Sequence, residues 1–496
     1  ASVTRLAASL GKIRIHGRTA DVAVVPGGRL SPPGLPRLSR AFGTAGSAVR
    51  LVGIEVRPIH RSADSADLYP AVARSLHRQL SRAMQQAAYE FALHQTTHRP
   101  RHYQALGRRA VVKAVTEVDS RLADIASSFD LLLSVTPVNV DRAYRSFIRG
   151  KGSSPPAFRY RPLDVDPVRL KRALYRIPIE RVEDPTLAAI FFEKQRELSM
   201  KLDLLTDRGT KRFVHTGVAL YGDVDSTMTA EAETLLNQLG HTPARGAGRT
   251  IDAKTFATTA ESEISRYREG YPAMGAKVLV RDDISSLMVS DGTVLVAAGL
   301  RIPMGRAEAL IQHEVGTHVV TYWNGKAQRF RLLATGLAGH DELQEGLAVL
   351  AEYLVAGLTA PRMRVIAARV LAAESVVSGA EFIETYRMLI DKYGFAQKTA
   401  FQIAMRVHRA GGLVKDAVYL RGLHRVVAYL ADGGRLDTLL VGKISVAHVA
   451  VVEELQRRGV LRTPPLRPAY LDNPDAHYRL ERLRGHVDLT TLVEPT

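Results

Sequence analysis

The stretch "LIQHEVGTHVVTYWNG", residues 310–325, predicts a helix that carries His313, Glu314 and His318. Zinc peptidases of the His-Glu-x-x-His type place two histidines four residues apart, which puts them about 40° apart around an α-helix. Here the histidines are five residues apart, and on a regular helix about 140° would separate them. They could share a metal ion only if a π-type bulge distorted the helix at 315–317, and we therefore predict one.

A second segment could complete such a site. The stretch "AGHDELQEGLAVLAEYLV", residues 338–355, predicts an apolar helix that carries Glu342, Glu345 and Glu352. Two helices that supply two histidines and one carboxylate can hold a single metal ion, as in zincin-type peptidases. From the residues alone, a metal site and an ordinary packed helix with two histidines both stay open.

The composition narrows the chemistry that the chain can use. It has 496 residues, of which 46% are hydrophobic and 24% charged, and it contains no cysteine. Thiolate catalysis, disulfides and Cys-based zinc sites are thereby excluded, so any metal must be bound by His, Asp or Glu. No apolar run predicts a membrane span, and we expect a cytoplasmic protein. Because the chain begins with Ala1 rather than Met, a targeting segment ahead of it stays open.

The net charge of +18 favours an acidic partner, such as an acidic peptide tail, nucleic acid or anionic lipid. No Cys/His finger, aromatic RNA-binding signature or P-loop supports nucleic acid. The histidines of "HQTTHRPRH", namely His94, His98 and His102, have helical spacing, but Pro100 interrupts the helix. We therefore predict a loop there rather than a second metal site.

Shifts in the pattern along the chain predict four regions. Residues 1–66 form a short segment rich in strands, and 67–245 are largely helical with a linker near 149–160. Residues 246–458 hold both motifs and would be a zincin-like catalytic domain if those motifs bind a metal, and 459–496 are an irregular tail. The predicted fold is α+β and mostly helical, with a small β-sheet and an N-terminal helical elaboration. A metal shared by the helices of the two motifs would make its core a zincin-like metallopeptidase core with a two-helix metal site.

Several elements can be predicted more closely. Helical periodicity covers 67–96, 105–133 and 186–205. Three strand-like runs follow, "AKVLVRDD", "SSLMVS" and "TVLVAAGLRIP", and the last two are joined by Asp291 and Gly292. Asp-Gly between alternating apolar runs predicts a β-hairpin.

The two motifs "HEVGTH" and "DELQEGLAVLAEYL" together resemble a family known by its Gln-Glu-Gly-Leu-Ala motif. Its bacterial members are often called flavohemoglobin expression-modulating proteins. Its vertebrate branch contains the microtubule-associated tyrosine carboxypeptidases, which remove the terminal tyrosine of α-tubulin. The resemblance covers about residues 155–430 and includes "FRYRPLDVD" and "KDAVYLRG".

The resemblance implies a role for each residue of the two motifs. It implies one Zn²⁺ ion held by His313, His318 and Glu345, with Glu314 as the catalytic base. Glu352 is the second choice for the third ligand, or an acid that supports a ligand from outside. His340, just ahead of the acidic helix, is not expected to bind the metal.

A carboxypeptidase also needs a cation that holds the terminal carboxylate of its substrate. The segment 404–422 supplies the candidates for substrate binding, which are Arg406, Arg409, Lys415 and Tyr419. We therefore predict a zinc-dependent metallocarboxypeptidase that releases a C-terminal tyrosine or other aromatic residue from an acidic peptide tail. The alternatives are a non-catalytic basic binding or regulatory protein built on the same helix pair, and a nucleic-acid-binding protein.

Overall fold

The computed structural model describes residues 2–25, 52–65, 67–107, 111–240, 249–284, 286–485 and 487–493. The chain divides into two compact units. The smaller comprises Ala1–Val112, Val182–Ala189 and Glu454–Val460, and the larger comprises Lys113–Arg181, Ile190–Glu453 and Leu461–Thr496. The boundaries of these two units differ from those of the four regions that the sequence predicts. The division into four regions is therefore still a prediction.

Most of the described residues with regular structure are helical. The α-helices, numbered in chain order, are α1 Ser2–Leu10, α2 Pro70–Gln95, α3 Lys113–Ser127, α4 Leu131–Val135, α5 Val140–Arg149, α6 Pro167–Tyr175, α7 Pro185–Asp207, α8 Arg212–Tyr221, α9 Ser226–Gln238, α10 Ala253–Gly270, α11 Ala307–His313, α12 Val320–Lys326, α13 Leu332–Thr335, α14 His340–Leu354, α15 Ala360–Val377, α16 Phe382–Arg387, α17 Gln397–His408, α18 Val418–Ala431, α19 Leu436–Leu439, α20 Val449–Arg457 and α21 Pro474–Glu481. Two π-helical segments occur in the described residues: Glu314–Val319 joins α11 to α12, and Met388–Lys392 extends α16. In the described residues, no helix is both long enough and apolar enough to cross a membrane.

In the part of the chain that the structure describes, the strands are short and form three small sheets. They are β1 Arg14–Ile15, β2 Arg18–Thr19, β3 Thr250–Asp252, β4 Val278–Arg281, β5 Met288–Ser290, β6 Thr293–Ala297 and β7 Arg301–Pro303. β1 pairs with β2 and β3 with β7, both antiparallel, and the third sheet has the order β4-β6-β5. The predicted α+β class, mostly helical with small sheets, is confirmed.

The predicted hairpin at Asp291 and Gly292 is confirmed. β5 and β6 pair antiparallel, with Ser290 opposite Thr293, and the two turn residues have φ of 46° and 70°. Positive φ at both central positions is the backbone that this turn demands, and an Asp-Gly pair tolerates it. β4 lies parallel on the other side of β6.

The prediction that residues 1–66 are rich in strands is wrong for the described part. Residues 2–10 form helix α1, whose apolar residues recur at helical spacing, and Ser9 donates to Gln86 of α2 at 2.7 Å. Among the described residues of this segment the strands are β1 and β2, and 21–25 hold neither helix nor strand. The strands predicted within residues 26–51 lie outside the described residues.

Two further predictions need correction. The helix expected over 105–133 is divided into α3 and α4, because Asp130 accepts from the backbone of Leu133 at 3.0 Å and begins a new helix. The tail expected to be irregular contains α21, which begins where Asn473 accepts from the backbone of Asp475 at 2.9 Å. The single helix expected over 67–96 is confirmed as α2.

We call the helical stretch from Ala307 to Lys326, which carries His313 and His318, the motif helix. The sheet β4-β6-β5 and helix α10 form the core behind it. Phe256 and Ile264 of α10 are buried together with Val294 of β6 and with Val315 and Val319, which follow α11. These apolar contacts fix one face of the motif helix, so that its other face is turned toward α14.

Helices α14 and α18 cross at Gly346 and Gly422. A Cβ atom on Gly346 would lie 2.4 Å from the backbone of Gly422, and one on Gly422 would lie 2.1 Å from the carbonyl oxygen of Glu342. Hydrogen is therefore the largest side chain that either position accepts, because the obstacle is backbone and cannot rotate away. This contact accounts for the glycine of the Gln-Glu-Gly-Leu-Ala motif.

Replacing Gly346 by Ala is expected to destabilise the protein by about 1–3 kcal/mol, because α14 and α18 must move apart. The thermal midpoint should fall by several degrees. Gly299 is the matched control: a Cβ there meets nothing within 4 Å, so Gly299→Ala should leave the midpoint unchanged. Equal midpoints for both variants would show that the two helices can separate without cost.

Candidate metal centre

The helix that carries the two histidines contains the predicted distortion. α11 ends at His313, the π-helical segment Glu314–Val319 follows, and α12 continues from Val320. The hydroxyl of Thr317 donates to the carbonyl oxygen of Gln312 at 3.1 Å, five residues back. The extra residue in the turn brings both imidazoles to one side, with ring centroids 5.2 Å apart.

Packing, and not backbone conformation, explains why Gly316 stands inside this segment. A Cβ on Gly316 would lie 2.4 Å from Oε1 of Gln312 and 3.1 Å from the ring of Tyr470. A larger residue at this position would require the end of the Gln312 side chain to move and the Tyr470 ring to shift slightly, so glycine is the residue that fits without rearrangement.

Three potential ligand atoms converge on one point. Nε2 of His313 and Nε2 of His318 each lie 3.9 Å from Oε2 of Glu345, which extends from α14. All three atoms lie within 4.8 Å of one another. Oε2 of Glu345 is buried and has no hydrogen-bond partner in the described residues. A buried carboxylate oxygen without a donor is costly, so the position lacks a positive group.

The outer nitrogen of each imidazole is already occupied. Nδ1 of His313 lies 2.9 Å from Oε1 of Glu352, and Nδ1 of His318 lies 3.3 Å from Oε1 of Gln344. Because both partners are oxygen acceptors, each Nδ1 carries the proton and each Nε2 presents its lone pair. Carboxylate and amide partners of this kind orient histidine ligands in metal sites.

The charge states of Glu345 and His318 suit a cation between these atoms. Burial opposes ionisation of Glu345, but Lys415 and the two imidazoles outweigh it and lower the carboxyl pKa to about 2. Burial lowers the pKa of His318 to about 4, which keeps that ring neutral at neutral pH. Burial lowers the pKa of His313, but its hydrogen bond to Glu352 and the charges of Glu314 and Glu352 outweigh burial and raise that pKa. Two imidazole nitrogens and one carboxylate form a donor set that suits Zn²⁺. The residues therefore fit the metal that the sequence motif implies.

Glu352 is not one of the converging atoms. One of its carboxylate oxygens faces His313, and the carboxylate is also held by Arg306 at 2.7 Å and Arg362 at 3.0 Å. These three contacts use its acceptor positions and turn it away from Nε2. Of the two roles that the sequence left open for Glu352, the geometry favours the outer one.

Glu314 lies beside the converging atoms without being one of them. Its side chain is buried and lines a cavity of about 620 Å³. Burial, together with the negative charges of Glu345 and Glu352, outweighs the attraction of His313 and raises the Glu314 pKa to about 7. A carboxyl with this pKa can both accept and release a proton near neutral pH.

The structure brings the proposed metal ligands, the proposed base and the four candidates for substrate binding to this one cavity, whereas Glu352 does not line it. Its lining includes His313, Glu314, His318, Glu345, Arg406, Arg409, Lys415 and Tyr419. Residues as far apart in the chain as His313 and Tyr419 therefore meet at one place.

Two of the four candidates for substrate binding are already paired with acids. Arg406 binds Asp416 with both Nε and Nη2, the latter at 2.8 Å. Lys415 lies between Oδ1 of Asp341, at 3.3 Å, and Oε1 of Glu345, at 3.2 Å. Lys415 therefore holds the carboxylate of Glu345 in place, with its other oxygen toward the imidazoles.

Arg409 has no such partner among the described residues. Its side chain is only 5% exposed, Nη1 donates to the hydroxyl of Thr136 at 3.0 Å, and Nε is buried without an acceptor. Burial and the neighbouring Arg406 lower its pKa to about 10. A buried guanidinium without a carboxylate is costly, so a bound anion would stabilise this side chain.

Behind Glu345 runs a line of alternating buried charges that we did not predict. From Lys415 it continues to Asp341, then to Lys201 at 3.5 Å from Asp341, and then to Glu197 at 3.2 Å from Lys201. Lys194, which is 1% exposed, ends the line at Glu197. The line fixes α14 against α7 and thereby orients Glu345.

A second group of potential ligand atoms, on Glu197, His340 and Asp341, lies along this line. Lys194 and Lys201 already neutralise its carboxylates, and His340 approaches the carbonyl oxygen of Leu337 at 2.8 Å through Nδ1. The group therefore lacks the excess of free donors that a metal site needs. This arrangement agrees with leaving His340 out of the ligand set.

Some signal for these residues was present in the sequence. Lys194, Glu197 and Lys201 recur at helical spacing, and Asp341 and Glu345 share one face of α14. No local pattern distinguishes Arg306 and Arg362 from other arginines. The three histidines of "HQTTHRPRH" form no group of potential ligands in the described residues.

Comparison with protein families agrees with this geometry. A family model described as "microtubule-associated tyrosine carboxypeptidase" matches residues 145–487, which is well over half of the chain. The matched region includes both motifs, the line of buried charges and the cavity lining from Arg145 onward, whereas the lining residues between Leu132 and Arg142 precede it. Among curated proteins, none matches the chain.

Proposed function

Because this chain belongs to the microtubule-associated tyrosine carboxypeptidase family, we propose that it is a zinc-dependent carboxypeptidase with a zincin-like core. The family makes it a carboxypeptidase-type hydrolase. The zinc dependence, the ligand set and the substrate are our proposals. The observation that carries them is the convergence of two imidazole nitrogens on a carboxylate oxygen that has no donor.

We propose that His313, His318 and Glu345 hold the metal and that Glu314 is the catalytic base. Zinc, when bound there, supplies a Lewis acid that polarises a carbonyl group and lowers the pKa of water. Glu314 lies next to His313 in the cavity and accepts the proton of the attacking water. With a pKa near neutrality it can then return that proton to the leaving amine.

Arg409 is the best candidate for holding the terminal carboxylate of the substrate. It lines the same cavity as the ligand atoms, and it is the candidate cation without an acid partner among the described residues. A guanidinium can bind a carboxylate with two parallel hydrogen bonds, which fixes the position of the last peptide bond. Arg406 and Lys415 are engaged with acids and have a supporting role in this proposal.

The rest of the cavity suits an aromatic terminal residue on an acidic tail. The apolar part of its lining consists of Leu132, Leu133, Pro137, Val138, Val140, Ile284, Leu287, Met288 and Val289. Arg142 and Arg145 of α5 are exposed and also line it. An apolar wall would bury a tyrosine ring, and exposed arginines would attract the acidic residues that precede it.

The proposal predicts that the free terminal carboxylate is essential. Amidating the C-terminus of an acidic peptide that ends in tyrosine should lower kcat/KM by about 10²-fold or more, as expected when a buried ion pair loses one partner. Arg409→Gln should cause a similar loss with the free peptide. The rate at which the last residue is released is measured by mass spectrometry.

The control combines the two changes, by testing the amidated peptide on the Arg409→Gln variant. If Arg409 binds the carboxylate, amidation should have little further effect on the Arg409→Gln variant, because the two changes remove the same interaction. Arg406→Gln and Lys415→Met test the other two cationic candidates separately. In at least one of these variants, amidation of the peptide should lower kcat/KM as much as it does in the unmodified protein. Equal cleavage of free and amidated peptides by the unmodified protein would instead indicate an endopeptidase.

A further inference from the structure

A second cavity, of about 490 Å³, lies next to the first and is lined by five arginines. They are Arg301, Arg306, Arg362, Arg369 and Arg406. No acidic residue is among its lining residues in the described part of the chain. Its other walls include the apolar side chains of Ile302, Leu310 and Val365.

Two buried carboxylates behind this lining neutralise only part of the charge. Glu352, which is fully buried, pairs with Arg306 and Arg362. Asp416, which is 1% exposed, pairs with Arg406 and lies 3.6 Å from Nε of Arg369. Four guanidinium groups thus share two carboxylates, so an excess of positive charge remains at the cavity.

Arg301 adds a fifth positive charge at the rim. It lies on β7, its side chain is 68% exposed, and its nearest acid, Asp252, is 3.9 Å away. At that distance and exposure the ion pair contributes little, so Arg301 stays available to a ligand.

Arg369 is the least satisfied of the group. Its Nε is buried and has no hydrogen-bond partner in the described residues. Burial and the nearby charge of Arg406 lower its pKa to about 10, although Asp416 acts in the opposite direction. Its guanidinium also lies 5.0 Å from the ring centroid of Tyr419, which lines the first cavity. A second anion would therefore stabilise this part of the protein.

The arginines approach from different elements. Arg301 comes from β7, Arg306 from the turn before α11, Arg362 and Arg369 from α15, and Arg406 from α17. A planar carboxylate accepts hydrogen bonds mainly in one plane, whereas a phosphate presents oxygens in three dimensions. Five guanidinium groups held by four different elements around one cavity therefore suit a phosphate-type anion better than a planar carboxylate.

We propose that this cavity is a binding site for a compact polyanion of the phosphate type, separate from the site of peptide cleavage. Arg301, Arg362 and Arg369 line this cavity and not the first, whereas Arg409 lines only the first. Arg406 lines both, so an anion bound here would share a wall with the peptide cavity. The proposal does not depend on the carboxypeptidase activity.

Titration calorimetry with pyrophosphate on the full chain, at constant ionic strength, tests the site. We expect saturable binding to one site. Arg369→Gln should weaken it at least about tenfold, because a charge-assisted pair of hydrogen bonds is lost. Arg301→Gln should also weaken it and, being exposed, should fold normally. Arg212→Gln is the matched control, since Arg212 is 77% exposed and lines neither cavity, and it should bind like the unmodified protein.

Four results would overturn the proposal. The first is no saturable binding, and the second is equal affinity in Arg301→Gln, Arg369→Gln and Arg212→Gln. The third is loss of binding after dialysis against EDTA, or in Arg409→Gln alone, which would place pyrophosphate in the first cavity. The fourth is tighter binding of a triglutamate peptide than of pyrophosphate, which would assign the arginines to carboxylates.

Discussion

Replacing Glu314 by Gln is expected to lower peptide hydrolysis by a factor of about 10²–10⁴ and to leave the metal content of the protein unchanged. The amide keeps the size and shape of the side chain but cannot accept the proton of the attacking water. Nε2 of His313, Nε2 of His318 and Oε2 of Glu345 are the converging atoms, and Glu314 contributes none of them.

The measurement combines the rate of release of the terminal residue with elemental analysis of the same preparation. Gln344→Glu is a useful comparison, because it adds an acid beside the site without touching the proposed base. A Glu314→Gln variant that still cleaves at more than a tenth of the normal rate would show that another group accepts the proton. A variant that loses both activity and metal would make Glu314 a ligand.

Replacing any one of His313, His318 and Glu345 by Ala is expected to abolish metal retention after dialysis against a chelator, and activity with it. Each change removes one of three donors, and a three-donor zinc site cannot hold the ion tightly with two. Metal content, measured by elemental analysis, is the primary readout because it does not depend on the choice of substrate. Circular dichroism of each variant checks that the helices have formed.

Two neighbouring variants separate ligands from residues that support them. Glu352→Gln should weaken metal affinity only about 10–100-fold, because it changes the partner of His313 and removes no donor atom. His340→Ala should retain the metal, since its ring is turned toward the carbonyl oxygen of Leu337. Full metal retention by Glu345→Ala, combined with loss in His340→Ala, would show that the ligand set is wrong.

The sequence alone was sufficient to predict the local features of the motif helix. Five-residue spacing of His313 and His318 cannot serve one metal on a regular α-helix, so the π-helical segment follows from counting residues. The hairpin at Asp291 and Gly292 follows from the turn chemistry in the same way. Both depend on neighbours within a few residues, which are visible in the sequence.

The local sequence pattern led to a wrong prediction at the N-terminus, where the helical and the strand-like runs are both short. Residues 2–10 have apolar residues at helical spacing, yet the alternating runs that follow them led us to expect strands over the whole segment. Short segments carry too little periodicity to separate the two, and packing against α2 decides the outcome.

Only the tertiary structure could assign partners to the charged side chains. Glu345 and Glu352 lie on the same helix, but one faces the inner nitrogens of the histidines and the other faces an outer nitrogen and two arginines. Arg406 and Arg409 are close in the sequence, yet an acid pairs with Arg406, and no described acid pairs with Arg409. The strength of each pairing depends on distance and burial between segments far apart in the chain, and no local spacing records either quantity.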